Sequence, residues 1–513
     1  MNDWTQIVAR FEDLGAPPAD VDAFLAWLER WNQLDIEVYD HWTQIKRRAY
    51  TNTADPALED AYATYSREVF STYHALTMRL VAQVLKAHPQ APTPAHAQLW
   101  RRWENQATLY YPESLPLHAE ISELESRYRA LMRRLEGLPG DPLQHWLAER
   151  EGLNALMLRL VRVRTELART SGCQTFLEYR WRELNRLDYR IEDAQAFHRA
   201  VEEIVVPRLA AIRDELEPTA WPALETDAET VLGQTGRVLG QIDPEFASIF
   251  AAMRASGHVD LGPKSGKADT SEQWFFPREG LPHLHIAWMS PATVLHESGH
   301  AMHEFLSFKA QGSLWNFSGS EEWQEFVAMT MDQLAWPFYT LERGGFLSAE
   351  DAEATRQSVL QFYLGTLVGD TMRDAFEHWV YSHDPDTLTS DALDAQWLAL
   401  KAQFQPWDQS DARDALAQTG WQRWAWSLFR IPLYIIAYPF AIVGTCLFAR
   451  ALEGRREEAI RHYKAALSVG NTEGLPSLFS RVGVRFPFTN DDVRQALEWI
   501  LERRTTSNLT RAP

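Results

Sequence analysis

The pentapeptide His296-Glu297-Ser298-Gly299-His300 places the tightest constraint on how this chain can fold. It follows Ser290 and Pro291, a favoured N-cap and a favoured first helical residue, so the sequence predicts a helix that begins near residue 291. Residues four apart share one face of a helix, which brings the two imidazoles side by side. That spacing suits a single metal ion, with the Glu297 carboxylate next to it.

A second helix is predicted over 320–336, a stretch that contains no glycine or proline before its end. Three glutamates there are within reach of the metal. Glu321 and Glu322 stand in the first turn, where acidic residues favour the helix dipole, so a capping charge explains them. Glu325 lies on a largely apolar stripe, where a carboxylate is destabilising unless it is paired or bound to metal. We predict Glu325 as the third ligand, and Asp332 as either a surface charge or an acceptor for a ligand histidine.

Residues 296–303 and the helix around Glu325 resemble the HExGHxxH motif and the third-ligand helix of the oligoendopeptidase F and thimet oligopeptidase family. The interval of 25 residues between His300 and Glu325 agrees with that family. Two further segments, 169–189 and 431–438, are similar to segments of these peptidases. Recognisable pieces therefore run from about residue 165 to residue 450.

The resemblance implies a mainly α protein, a two-lobed, clam-like helical zincin with a small β-sheet beside the active site and an enclosed cleft. It implies a zinc metalloendopeptidase, an oligoendopeptidase that hydrolyses internal bonds of short unstructured peptides. One Zn²⁺ per chain is expected on His296, His300 and Glu325, with Glu297 as the catalytic base. Tyr438 and Tyr434 are the candidate hydrogen-bond donors to the oxyanion. Tyr438 is the better match by position, and core packing is the alternative for both.

One stretch departs from the family pattern. A histidine is expected a few residues before Pro432, yet residues 424–430 contain none. If that histidine normally helps to hold the substrate or the oxyanion, its role passes here to Ser427 or to a tyrosine. Leu433 also stands where the family usually has an aromatic residue.

Composition excludes some classes of partner. The 513 residues carry a net charge of -20, which argues against nucleic-acid binding, because that function needs a basic face. Two distant cysteines, Cys173 and Cys446, give no disulfide framework, and the first residues lack a signal-peptide pattern, so a cytoplasmic location is expected. The charge-free stretch Ile431–Ala449 is long enough to span a membrane. Its prolines and tyrosines favour a buried helix behind the active site, so we expect no membrane contact.

Helical periodicity dominates the rest of the chain. Long amphipathic helices are predicted over 20–50, 56–86, 117–137 and 142–170. We predict three regions: an N-terminal helical region (1–110), a helical connecting region (111–195) and a catalytic region (196–513). The alternating residues His283–Trp288 predict a strand. We expect it to be an edge strand, able to add an extended peptide through main-chain hydrogen bonds.

Two rival functions remain open at this stage. A helical zinc carboxypeptidase that trims peptide C-termini would also carry HExGH, but its His-Glu-Ser-Gln-Ser-Arg segment is not found after His300. A non-catalytic peptide-binding protein with a structural zinc has no need of Glu297. The expected partners are short peptides. The sequence predicts neither the oligomeric state nor the subsite preference.

Overall fold

The computed structural model describes residues 4–65, 69–136, 138, 141–213, 224, 227–408, 420–423 and 426–509. Helices account for most of these residues, as predicted. Those before the sheet are Trp4–Glu12, Val21–Thr51, Pro56–Thr64, Phe70–Ala87, Ala97–Ala107, Leu115–Glu136, Pro142–Ala148, Arg150–Thr170, Phe176–Glu183, Ile191–Ala200, Val206–Ile212, Ala228–Ile242 and Pro244–Ala255. Those after it are Pro291–Gln311, Glu321–Ala335, Ala349–Ser382, Ser390–Phe404, Gly420–Arg423, Ala437–Ala451, Arg456–Leu467, Leu475–Arg481 and Asn490–Leu509.

The small sheet directly precedes the helix that carries the pentapeptide. Its strands are β1 (Val259–Leu261), β2 (Ser271–Phe276) and β3 (Leu281–Ile286), in the order β1-β3-β2. β3 pairs in parallel with β1 and antiparallel with β2. The predicted strand therefore exists, but the prediction that it is an edge strand is wrong. A partner lies on each side of β3, and β2 forms the edge nearer to the site.

Two hydrophobic clusters form the interior. The larger draws its buried residues from positions 109 to 500, and the smaller draws them from positions 7 to 103. The smaller cluster is rich in tryptophan: Trp31 stacks on Trp103 with ring centroids 5.2 Å apart and meets Trp315 edge-on at 5.0 Å. Trp315 lies in the loop between the helices Pro291–Gln311 and Glu321–Ala335, so the N-terminal cluster supports the connection between them. The predicted region boundaries at 110 and 195 stay predictions.

The charge-free stretch 431–449 becomes part of the core. Its second part forms most of the helix Ala437–Ala451, and most residues of that helix are buried. A Cβ placed on Gly444 would lie 3.0 Å from the Phe326 ring and 2.8 Å from the Phe479 ring, so this helix packs closely against Glu321–Ala335. The prediction of a buried helix behind the site is confirmed. Within the described part of the chain, no helix is both long and apolar enough to cross a membrane.

Candidate active site

The helix Pro291–Gln311, here called the first site helix, holds the two histidines. The Ser290 hydroxyl caps it by accepting a hydrogen bond from Thr293 N at 3.1 Å, and Pro291 occupies its first turn. The helix ends at Gly312, whose φ of 62° lies in the left-handed region that glycine tolerates. The rings of His296 and His300 lie 4.9 Å apart and nearly perpendicular, so both imidazoles project from one face as predicted.

The helix Glu321–Ala335, the second site helix, crosses the first at Gly299. A Cβ built on Gly299 would lie 2.7 Å from Ala328 Cα and 2.9 Å from Met331 Cβ. Only glycine permits this approach of the two backbones. The contact carries Glu325, one turn before Ala328, to the face that holds the histidines. Gly299 is therefore needed for the close packing of the two site helices, a requirement that the motif alone does not reveal.

The three predicted metal ligands come together. One potential ligand atom from each of His296, His300 and Glu325 lies within 4.8 Å of the others, and His296 Nε2 is 3.5 Å from Glu325 Oε2. Glu325 Oε1 accepts a hydrogen bond from the Tyr434 hydroxyl at 2.7 Å. Glu325 Oε2 is buried and has no hydrogen-bond partner among the described residues. A buried carboxylate oxygen without a partner, facing two imidazoles, fits a divalent metal that prefers nitrogen and oxygen ligands.

Burial sets the protonation of these groups. It lowers the pKa of His296 to about 4 and that of His300 well below its usual value, so both imidazoles are neutral at neutral pH, the form that binds metal. Burial raises the pKa of Glu325 to about 8. It also raises the pKa of Glu297 well above its usual range, and the neighbouring carboxylates of Glu325 and Glu272 add to the rise. The positive charge of a metal would oppose the shift of both glutamates.

A cavity of about 580 Å³, here called the active cavity, contains all six predicted site residues: His296, Glu297, His300, Glu325, Tyr434 and Tyr438. The N-terminal region contributes Lys46, Tyr50 and Tyr62 to its wall, and the edge strand β2 contributes Ser271–Gln273. The structure thus brings the predicted residues into one space. Their chemical roles remain predictions.

The tyrosine segment is fixed by buried charges that sequence reasoning missed. Leu433 adopts a left-handed conformation with φ 62°, which is strained for a residue with a Cβ. Its N–H donates to the Glu377 carboxylate, and its carbonyl accepts from Arg186 Nη1 at 2.6 Å. Arg186 also pairs with Glu322 at 2.7 Å. These contacts hold the peptide next to Tyr434, so the phenol reaches Glu325.

The sequence indicates only part of this network of buried charges. Arg186 lies in the segment 169–189 that resembles the peptidase family, and Glu377 stands between the apolar residues Phe376 and Val380. Glu322 was explained as a capping charge, whereas the structure shows a buried ion pair with Arg186 and a 2.7 Å hydrogen bond from the Tyr189 hydroxyl. Arg186 and Glu322 are more than 100 residues apart in the chain, so their ion pair depends on the tertiary fold and cannot be predicted from local sequence patterns.

Two secondary predictions need correction. Asp332 is neither a surface charge nor a partner of a ligand histidine: it is buried and accepts hydrogen bonds from the Tyr339 hydroxyl and from Trp336 Nε1. Ser427, offered as a substitute for the missing histidine, is buried, is hydrogen-bonded to Glu377 and does not line the active cavity. The structure describes 426–430 of the departing stretch, and residues 424 and 425 lie outside it. Tyr434 and Tyr438, the other predicted substitutes, do line the cavity, and their role stays a prediction.

A second cluster of potential ligands lies apart from the active cavity. His198, Asp374 and His378 are all buried, with His198 Nε2 2.7 Å and His378 Nε2 3.2 Å from the same oxygen of Asp374. Burial alone would raise the pKa of Asp374, but the two imidazoles hold that pKa below its usual range. Because its carboxylate already contacts both rings, we interpret this cluster as a buried structural network beside Glu377.

Comparisons with known proteins agree with this site. Residues 280–497 match the model of Peptidase family M3, a range that includes both site helices and the tyrosine segment. A solved structure described as a candidate oligoendopeptidase F superposes with a TM-score of 0.86 at 21% identity, covering 98% of this chain and 97% of that one. PZ peptidase A with an inhibitor gives a TM-score of 0.85 at 20% identity, covering 98% and 96%. The comparison with curated proteins gives no match.

The fold is also shared with a different kind of peptidase. An M32 carboxypeptidase from Deinococcus radiodurans R1 superposes with a TM-score of 0.60 at 16% identity, covering 98% of this chain and 99% of that one. Residues 280–497 of this chain are thus similar to Peptidase family M3, and the resemblance of the chain to the oligoendopeptidase F family is confirmed. It is a metallopeptidase with a mainly helical zincin fold and a small sheet.

Proposed function

We propose that this protein is a zinc-dependent oligoendopeptidase that cleaves internal bonds of short, unstructured peptides. The observation that carries the proposal is the unpartnered Glu325 oxygen, which faces His296 and His300 in the cavity that also contains Glu297. A purely structural metal site has no need of Glu297, a carboxylate beside the three proposed ligands that does not itself bind the metal.

His296, His300 and Glu325 would hold the zinc ion. When bound, zinc supplies Lewis acidity that lowers the pKa of a water molecule and polarises the scissile carbonyl. Glu297 takes the proton that the water loses as it attacks, and later delivers that proton to the leaving amine. Burial raises the pKa of this carboxyl above its usual range, which makes the carboxylate a stronger proton acceptor than a free glutamate.

The two tyrosines would act on the carbonyl oxygen as it gains negative charge. Burial raises the pKa of both phenols well above the usual value, so both remain protonated donors at neutral pH. Tyr434 donates to Glu325 in this structure and so orients that proposed ligand. Tyr438 also lies within hydrogen-bonding reach of Glu325, and its ring lies 5.8 Å from that of Tyr434. We assign the oxyanion contact first to Tyr438 because its position is the better match to the family motif.

The size and walls of the cavity support short peptides as substrates. Elements from the N-terminal region and from the catalytic region both line a space of about 580 Å³, which cannot admit a folded domain. The outer edge of β2 runs along this space, so an extended peptide can add to it through main-chain hydrogen bonds. Such binding requires an unfolded backbone and places little demand on sequence.

Removal of C-terminal residues is the second candidate function, because a carboxypeptidase shares the fold. The sequence after His300 lacks the segment expected of that class, which favours internal cleavage. Digestion of a defined peptide library, followed by mass spectrometry, separates the two. We expect internal fragments, their loss on addition of a chelator, and their return with added zinc.

Glu297→Gln is the matched control in that experiment. Gln preserves the size of the side chain but cannot take the proton, so turnover should fall roughly 10²–10⁴-fold while zinc stays bound. Products shortened one residue at a time from the C-terminus would contradict the endopeptidase proposal. Unchanged turnover in zinc-loaded Glu297→Gln would remove Glu297 from the mechanism.

A further inference from the structure

Among the residues that the structure describes, a second cavity shares one lining residue with the active cavity. This side cavity has a volume of about 670 Å³ and includes His74, His118, Glu125, Glu183 and Pro432 in its wall. Arg430 lines both cavities. It therefore stands where the two spaces join, two residues before Pro432 in the side cavity and four residues before Tyr434 in the active cavity.

Arg430 differs in its pairing from the other strong bases around these cavities. Each of the others forms an ion pair: Lys46 with Glu272 at 2.5 Å, Arg164 with Glu125 at 3.2 Å and Arg180 with Glu183 at 2.6 Å. Arg430 is exposed and has no carboxylate partner among the residues that the structure describes. Its charge is thus available to a ligand.

The backbone on both sides of Arg430 is fixed. Arg164 donates to the carbonyls of Leu428 and Phe429 at 2.6 and 2.7 Å, and Arg180 Nε donates to the Pro432 carbonyl at 3.1 Å. Arg186 and Glu377 hold both polar groups of the Leu433 peptide. The guanidinium therefore projects from a rigid base, which reduces the conformational entropy lost when it binds an anion.

Arg430 is also the cationic side chain of the active cavity that the acidic lining leaves without an ion pair among the described residues. Six acidic residues line that cavity: Asp269, Glu272, Glu297, Glu304, Glu321 and Glu325. Of these, Glu272 is neutralised by Lys46. Among the described residues, the Arg430 guanidinium therefore has no carboxylate to neutralise it, and it presents two parallel N–H donors that match the carboxylate of a peptide.

We propose that Arg430 binds a carboxylate of the bound peptide at the junction of the two cavities. This inference rests on the proposed function, because it assigns a substrate contact to the same site. The carboxylate is the C-terminus of the peptide or an acidic side chain. Its capture orients the chain across Glu297 and places the residues nearest the carboxylate at the side cavity. Arg430 is thus a specificity-determining residue that binds substrate without taking part in proton transfer.

Binding to a protein that does not turn over its ligand tests the proposal directly. Zinc-loaded Glu297→Gln protein is titrated with two peptides of identical sequence, one with a free C-terminus and one with a C-terminal amide. A third, amidated peptide carries Glu in place of one Gln and distinguishes a side-chain source. We expect the carboxylate-bearing peptide to bind roughly 10-fold more tightly than its neutral match.

Substitution of Arg430 should abolish that preference. In Arg430→Gln the affinity ratio should fall to about one, whereas Arg430→Lys should retain part of it. Arg208→Gln removes an exposed arginine that lines neither cavity and should leave the ratio unchanged. Because the Arg430 side chain is exposed, the substitution leaves the core intact, and thermal unfolding confirms folding. An unchanged ratio in Arg430→Gln, or no preference with Arg430 present, overturns the proposal.

The two proposals fail in different ways. If zinc-loaded protein with intact Glu297 does not cleave the amidated peptide, the proposed hydrolytic function is wrong. The binding ratio in the Glu297→Gln protein does not depend on cleavage. Cleavage without any carboxylate preference therefore refutes the role of Arg430 alone.

Discussion

Gly299→Ala is expected to impair the metal site although residue 299 binds nothing. The added Cβ would lie 2.7 Å from Ala328 Cα and 2.9 Å from Met331 Cβ, and Ala328 is backbone that cannot rotate away. To restore an ordinary contact of about 3.4 Å, the two site helices must separate by roughly 0.7 Å. Glu325 moves with the second helix, whereas His296 and His300 stay on the first.

The magnitude follows from the tolerance of metal coordination. Ligand distances in zinc sites hold to about 0.2 Å, so a shift of roughly 0.7 Å exceeds that tolerance. Overpacking destabilises the fold by about 1–3 kcal/mol, while Ala in place of Gly within a helix contributes about 1 kcal/mol in the opposite direction. Net destabilisation should therefore be small, at about 0–2 kcal/mol, and the loss of zinc affinity should be the larger effect.

Gly365 supplies a matched control. It also lies inside a helix, Ala349–Ser382, but a Cβ there would meet nothing within 4 Å. Gly365→Ala should be neutral or stabilising by about 1 kcal/mol, with unchanged zinc affinity. Zinc affinity is measured by competition with a chromogenic chelator, and stability by thermal unfolding. Wild-type zinc affinity in Gly299→Ala would refute the argument that this close helix contact positions Glu325.

Three further predictions concern the surroundings of the site. Tyr438→Phe should lower kcat with little change in KM, because a transition-state contact is lost, while Tyr434→Phe should lower kcat less; a reversed order in steady-state kinetics would exchange their roles. Glu377→Gln keeps an acceptor for the Leu433 N–H and should retain kcat, whereas Glu377→Met leaves that N–H unpaired and should lower kcat at full zinc occupancy; equal kcat in both variants would argue against positioning. Burial raises the pKa of Asp35 to about 7, so the folded state holds a proton that the unfolded state releases near pH 4. The contribution of Asp35 to stability is therefore lost as pH rises from about 4 to 7, by at most about 1.4 kcal/mol per pH unit, and Asp35→Asn should make the thermal unfolding profile fall less steeply over this range than that of the wild type.

Sequence patterns predicted the parts of the site that depend on local geometry. The spacing of His296 and His300 translates directly into one helix face, and the carboxylate of Glu325 stands out on an apolar stripe. Both inferences need only the period of an α-helix. The burial of the stretch after Pro432 was also predictable from local sequence, because a long segment without charged residues is stable in a folded protein only when other elements pack over it.

Contacts between distant segments were beyond such patterns. The alternating polar and apolar residues of β3 predict a strand. Its central position in the sheet depends on pairing with β1, a strand of only three residues that is too short to be recognised from its sequence. Asp332 occupies the same stripe as Glu325, yet its partners are Trp336 and Tyr339, set by the turn that follows the helix. The Arg186–Glu377 clamp on Leu433 likewise joins three separate segments.

Metal analysis of purified protein tests the central claim most directly. Elemental measurement should find one zinc ion per chain in the wild-type protein, because His296, His300 and Glu325 offer two neutral imidazoles and a carboxylate oxygen without another partner. The double substitution His296→Ala and His300→Ala should reduce zinc to background while the fold remains. Equal zinc in the wild-type and doubly substituted proteins would contradict the account.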